Sequence, residues 1–156
     1  LFEINKSNSN KEYLTSLRKK CPRLKLQAIS SRFILDKEHA KKIISISISK
    51  KLKNQLLSEK LEIDLLLRFA NTTQINEAIK NIGVSPNQNF ILITIGKKSY
   101  QKKLFEIIHD DLDTIFRKDN SNFLKKNYQI STQTLNSIES KTPLIDLLVE
   151  KASILI

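Results

Sequence analysis

Two hydrophobic periods alternate along this 156-residue chain, and each change of period marks an element. In "LKLQAIS", Leu24, Leu26 and Ala28 or Ile29 fall on one side with period two, which predicts a strand. Leu1 to Ile4 reads as a short strand. Between them, "SNSNKEYLTSLRKKC" brings Tyr13, Leu14 and Leu17 onto one helical stripe. Ser9 or Asn10 can cap that helix, and Pro22 blocks its continuation. The stretch "DKEHAKKIISISISKKLKN" carries both periods. Its "ISISIS" centre alternates, yet Ala40, Ile43, Ile44, Ile48 and Leu52 share a helical face and Asp36 is a good N-cap, so a helix is predicted over 36–53.

Ile63 to Phe69 is nearly continuous in apolar residues, which predicts a strand covered on both faces. Ile75, Ala78, Ile79 and Ile82 then follow helical spacing, with Thr73 as N-cap. Gly83 fits a left-handed residue after the helix, with Val84 packing back on Ile79. Pro86-Asn87 turns the chain into a strand from Phe90 to Ile95, so this segment reads as a βαβ unit. A helix from Ser99 to about His109, with Leu104, Phe105 and Ile108 inward, comes next. A strand at 114–116, a helix near 120–127 and a last helix opened by Pro143 complete the pattern. The fold expected is α/β: one compact domain over 1–156, a mixed central sheet containing the βαβ unit, packed by helices, with an apolar C-terminal helix.

Composition adds a bias of charge. The net charge of +11 is concentrated in residues 1–60, which hold 15 basic against 5 acidic side chains; residues 61–156 hold 12 against 11. Such asymmetry suggests a face suited to phosphates. A single cysteine rules out an internal disulfide, and no signal pattern or spanning apolar run is visible, so an intracellular, soluble protein is expected.

Catalytic signatures are sparse. His39 and His109 lack partners at metal-ligand spacing, and Cys21 lacks an adjacent base. "HDDLD" offers Asp110, Asp111 and Asp113 for Mg²⁺, but a local acidic run is weak evidence beside a solvated loop. Gly83 and Gly96 are the only glycines, so phosphate-loop and nucleophile-elbow motifs are absent. The expectation is a protein that is not an enzyme, with no cofactor, no metal, no small-molecule substrate and no membrane contact.

Two binding features remain. The last helix is apolar almost all round, so it is either a core helix or a docking face for another protein. The start of the 75–82 helix sets Asn71, Thr72 and Gln74 beside Arg68, with Ile75 or Phe69 able to support a base. Those polar residues either cap the helix or grip an anion.

The segment "EIDLLLRFANTTQINEAIKNIGVSPNQNFILITI" resembles the core of the Cgi-type, PRPK-binding subunit family of the KEOPS complex. The pattern appears here as Arg68, Gln74, Ile75, Ala78, Ile79 and Gly83; "DKEHAKKIISISIS" and "LIDLLVEKASILI" are similar to the family's helices. The resemblance implies a regulatory subunit of the machine that makes threonylcarbamoyladenosine in tRNA, cytoplasmic and also nuclear in a eukaryote. It implies that Leu144, Ile145, Leu147, Leu148, Lys151, Ala152 and Leu155 meet the complex's atypical kinase/ATPase. It also implies that Arg68, Asn71, Thr72, Gln74, Ile75 and Gly83 hold the 3′ CCA end of tRNA. Lys50, Lys51, Lys53 and Lys60 join as phosphate contacts on grounds of charge alone. The alternative is a module that binds the kinase only.

Overall fold

A computed structural model describes residues 1–4 and 10–156. The chain runs β1 (Phe2–Ile4), α1 (Asn10–Lys20), β2 (Lys25–Ser30), α2 (Lys37–Leu52), α3 (Leu61–Ala70) and α4 (Ile75–Ile82). It continues as β3 (Phe90–Ile95), α5 (Lys98–Ile108), β4 (Leu112–Asp113), α6 (Ser121–Asn127), α7 (Thr132–Asn136) and α8 (Pro143–Ser153). The proposed cap at Ser9 lies outside the described residues.

Period two does its expected work in the sheet. Strand order is β2–β3–β1–β4, and every pairing is antiparallel; Leu92 stands opposite both Phe2 and Ala28. Alternation sends Ile4, Leu26, Ala28, Phe90 and Leu92 to one face, where they pack on Leu14 and Leu17 of α1 and Leu104 and Ile108 of α5. Ile29, Ile91 and Ile93 point the other way, into a larger core with α2, α3, α4 and α8. The result is a three-layer α/β domain: a two-helix layer, the sheet, and a thicker helical layer. The α/β class and the single domain agree with the sequence reading.

The βαβ unit does not form, because Ile63–Phe69 is helical. Consecutive residues on a helix point about 100° apart, yet Leu65, Leu66 and Leu67 are 1%, 2% and 0% exposed. A helix buried in every direction needs neighbours all round, and α3 has them: α2, α4, α8 and β2. Continuous apolarity therefore reflects a central helix, and the sheet is antiparallel, not mixed. Residue type favoured this outcome. Leu, Glu and Arg are good helix formers, Ile63 is the one β-branched residue in the run, and Glu62 and Asp64 suit the positive end of the helix dipole.

Smaller departures have local causes. In α2 the buried line is Ala40, Ile43 and Ser47, so the face bearing Ile48 and Leu52 turns outward near the end of the helix. Phe105 is 47% exposed and leans on Phe2, although inward packing was expected. Residues 114–116 are not a strand; pairing stops at Asp113, and Phe116 takes a left-handed φ of 59°. The short helix α7 lacks an apolar stripe and was not foreseen; Ser131 caps it by accepting from the Thr134 N–H at 3.0 Å.

Candidate partner-binding surfaces

Arg68 is where the structure corrects the sequence most sharply. One turn separates it from Asp64, and the two side chains, both fully buried, form a two-point ion pair. Nε donates to one carboxylate oxygen at 2.9 Å and Nη2 to the other at 3.2 Å. Nη1 donates to the Ala152 carbonyl at 2.6 Å, tying α3 to the end of α8. Asp64 also accepts from the Leu57 N–H at 2.8 Å, anchoring the loop before α3. Each charge is paired and hydrogen-bonded, which is the condition for burying it. Arg68 is a structural clamp with no surface left for RNA.

The turn that follows is also mostly self-satisfied. Asn71 sits in the left-handed region, with φ 53°, and closes α3. Its N–H reaches the Arg68 carbonyl and the Thr72 N–H reaches the Leu67 carbonyl, the paired bonds of a Schellman end. The Thr72 hydroxyl donates to Glu77 at 2.7 Å and accepts from the Gln74 N–H at 3.2 Å. Gln74, not Thr73, is the N-cap residue of α4, and no side chain caps it. Gly83 has φ −64°, so it is not a left-handed stop. It is needed for space, since a Cβ there would lie 2.3 Å from the Ile79 carbonyl oxygen. Gln74 and Ile75 are the exposed members of the predicted RNA set on this turn. Phe69 is buried and is not available to a base.

The last helix is chiefly core. Leu144, Leu148 and Ala152 join the larger hydrophobic cluster, and Ile145 is buried as well. These four are buried within the domain, where α8 packs on α2, α3 and α7. Leu147, Lys151 and Leu155 remain partly accessible, next to exposed Ile154 and Ile156.

Other large apolar side chains stand free on the same layer. Ile75 and Ile79 project from α4, and Ile48 and Leu52 from α2, with Leu52 82% exposed. Lys50 is partly exposed, while Lys51, Lys53 and Lys60 are exposed around the α2–α3 connection. The opposite layer exposes Phe105 alone among such residues described. Apolar side chains exposed singly are ordinary on a protein surface; here most of those described fall on one layer.

The remaining chemistry-bearing residues are dispersed. His39 is buried against the edge of the Phe69 ring; its Nδ1 accepts from the Leu35 N–H at 3.1 Å, and burial lowers its pKa to about 4 despite Asp36 nearby. Asp111 accepts from the Tyr13 hydroxyl, Asp113 from the Asn89 amide and the Thr114 N–H, and Asp110 contacts His109. These carboxylates do not converge, and among the described residues no group of three His, Cys, Asp or Glu is placed to hold a metal ion.

Fold and surface together define an α/β domain whose thicker helical layer carries several isolated, exposed apolar side chains. The chain belongs to the CGI-121 family: the family model described as "Kinase binding protein CGI-121" matches residues 3–154. No curated protein matches it. The resemblance read from residues 60–95 thus holds for nearly the whole chain, and kinase binding is the function that the family's description carries.

Proposed function

We propose that this chain is a non-catalytic regulatory subunit of the KEOPS complex, which installs threonylcarbamoyladenosine in tRNA. It binds the complex's atypical kinase/ATPase and the 3′ CCA end of tRNA, in the cytoplasm and also in the nucleus of a eukaryotic source. The observation that carries the reading is membership of a kinase-binding family across residues 3–154. Support for the kinase arm comes from the accessible side chains of the thicker layer: Ile48, Leu52, Ile79, Leu147 and Leu155. The RNA arm draws on Gln74 and Ile75 at the start of α4, with Lys50, Lys51, Lys53 and Lys60 as phosphate contacts.

The test is capture of the kinase by the full chain, followed by a mobility shift with intact tRNA and with tRNA lacking its CCA tail. Capture together with weaker binding of the trimmed tRNA is the expected result. Binding indifferent to the tail would remove the RNA arm, and failure to capture would remove the kinase arm. One observation favours the alternative, a module that binds the kinase only. Burial of Arg68 takes the one guanidinium out of the predicted pocket.

A further inference from the structure

A dense group of positive charges lies on the two-helix layer, across the sheet from the apolar faces described above. Residues 18–25, "RKKCPRLK", contain five basic side chains and no acidic one; residues 97–103, "KKSYQKK", contain four and none. The sheet brings these segments together, because Lys25 opens β2 opposite Ile95 at the end of β3. Gly96 keeps the approach close: a Cβ there would meet the Leu24 side chain at 2.5 Å. All nine basic residues are exposed. Lys25 shares the parity of Ile29, so its side chain points to the other face of the sheet, where it meets Glu62 of α3 at 3.8 Å; among the described residues none of the other eight has a carboxylate within ion-pair distance.

The surface is shaped as well as charged. A cleft of about 250 Å³ opens between the segments, lined by Lys20, Arg23, Tyr100 and Lys103 over a floor of Cys21 and Leu24. Arg23 donates to the Tyr100 hydroxyl, and its guanidinium lies over that ring, 5.4 Å from the centroid. The contact holds a planar donor in place, so less side-chain entropy is lost when the guanidinium engages an anion. Unpaired like charges at this density repel one another, and neutralising them by phosphates is favourable. Within the two segments no large apolar side chain is exposed, which sets the surface apart from one built to sit in lipid.

We infer that the 18–23 and 97–103 segments form a phosphate-binding cleft for the backbone of a folded RNA, separate from the α4 turn and on the layer opposite the kinase-facing helices. The choice of RNA rests on the function proposed above; the cleft itself rests on charge and geometry.

The experiment uses the full chain, in vitro transcribed tRNA with and without its CCA tail, and mixed phosphatidylcholine–phosphatidylserine vesicles. The variant is Lys20→Glu with Lys103→Glu, both exposed, with thermal unfolding measured alongside. Removing two phosphate contacts flattens the log–log salt dependence by about 1.4 to 1.8 and lowers affinity about tenfold or more. The expected loss is the same factor for both transcripts. Unchanged affinity for both would overturn the inference, as would a loss confined to the tailed transcript, which would make the cleft part of the tail site. A wild-type chain that binds vesicles more tightly than RNA would overturn it in favour of a membrane surface. If wild-type protein ignores the tail while the variant weakens both transcripts, the CCA reading falls and the cleft stands.

Discussion

Replacing Arg68 by Met tests the central correction that the structure makes. Met keeps much of the volume but removes the guanidinium, and with it two hydrogen bonds to Asp64 and one to the Ala152 carbonyl. Asp64 would be left as a buried carboxylate with only the Leu57 N–H beside it. Breaking a buried pair in this way costs about 3–5 kcal/mol, a large share of the roughly 5–15 kcal/mol that holds a typical domain together. At about 2–4 °C per kcal/mol, the midpoint of thermal unfolding falls by about 6–20 °C. The assay is urea and thermal unfolding followed by circular dichroism. Its control is Asp64→Asn added to Arg68→Met, which removes the stranded charge yet keeps an oxygen for Leu57 and regains part of the loss. The reasoning is refuted if Arg68→Met costs less than about 1 kcal/mol and the folded variant nevertheless loses tRNA binding. That outcome would mean that Arg68 reaches the surface.

Leu148→Glu places a charge in the main core, and a loss of at least about 4 kcal/mol is expected, seen as loss of the cooperative unfolding transition. Leu52→Glu, at an exposed position, keeps its melting temperature within about 2 °C, and kinase capture by the folded variant is expected to drop. His39 is held neutral, with its pKa lowered to about 4. The unfolded chain therefore takes up a proton near pH 6.5 that the folded chain refuses, and stability falls by up to about 1.4 kcal/mol per pH unit between about 6.5 and 4. Unfolding midpoints measured across that range should flatten in His39→Gln; an equal slope in the variant would locate the acid sensitivity elsewhere. Gly83→Ala should cost about 1–3 kcal/mol by chemical denaturation, and because φ −64° suits alanine the loss is steric. No measurable loss would show that the Ile79 carbonyl gives way.

Sequence by itself determined the elements whose patterns are local. The alternation in β2, the spacing of Leu14 and Leu17 in α1, Asp36 before α2 and Pro143 at the start of α8 each specify an element without reference to the rest of the chain. It also determined the family, since the match over residues 3–154 is read from the sequence and holds whatever secondary structure the residues adopt.

Tertiary structure decided everything that depends on how many sides of an element are covered. A continuous apolar run suits either a strand between two layers or a helix within a bundle. Only the packing of α2, α4 and α8 around α3 selects the second. The same ambiguity hid the role of Arg68. An arginine beside a polar turn reads as a surface cation until a carboxylate one helical turn away and a carbonyl from residue 152 are found to meet it inside. In α8, the pattern specified an apolar helix and left open whether its partner is the domain's own core or another protein. The fold gave Leu144, Leu148 and Ala152 to the core, packed Leu147 against its edge, and left Leu147 and Leu155 partly accessible. The basic cleft was invisible for a related reason. Its two halves are more than seventy residues apart, and antiparallel pairing of β2 with β3 is what adds their charges into one field.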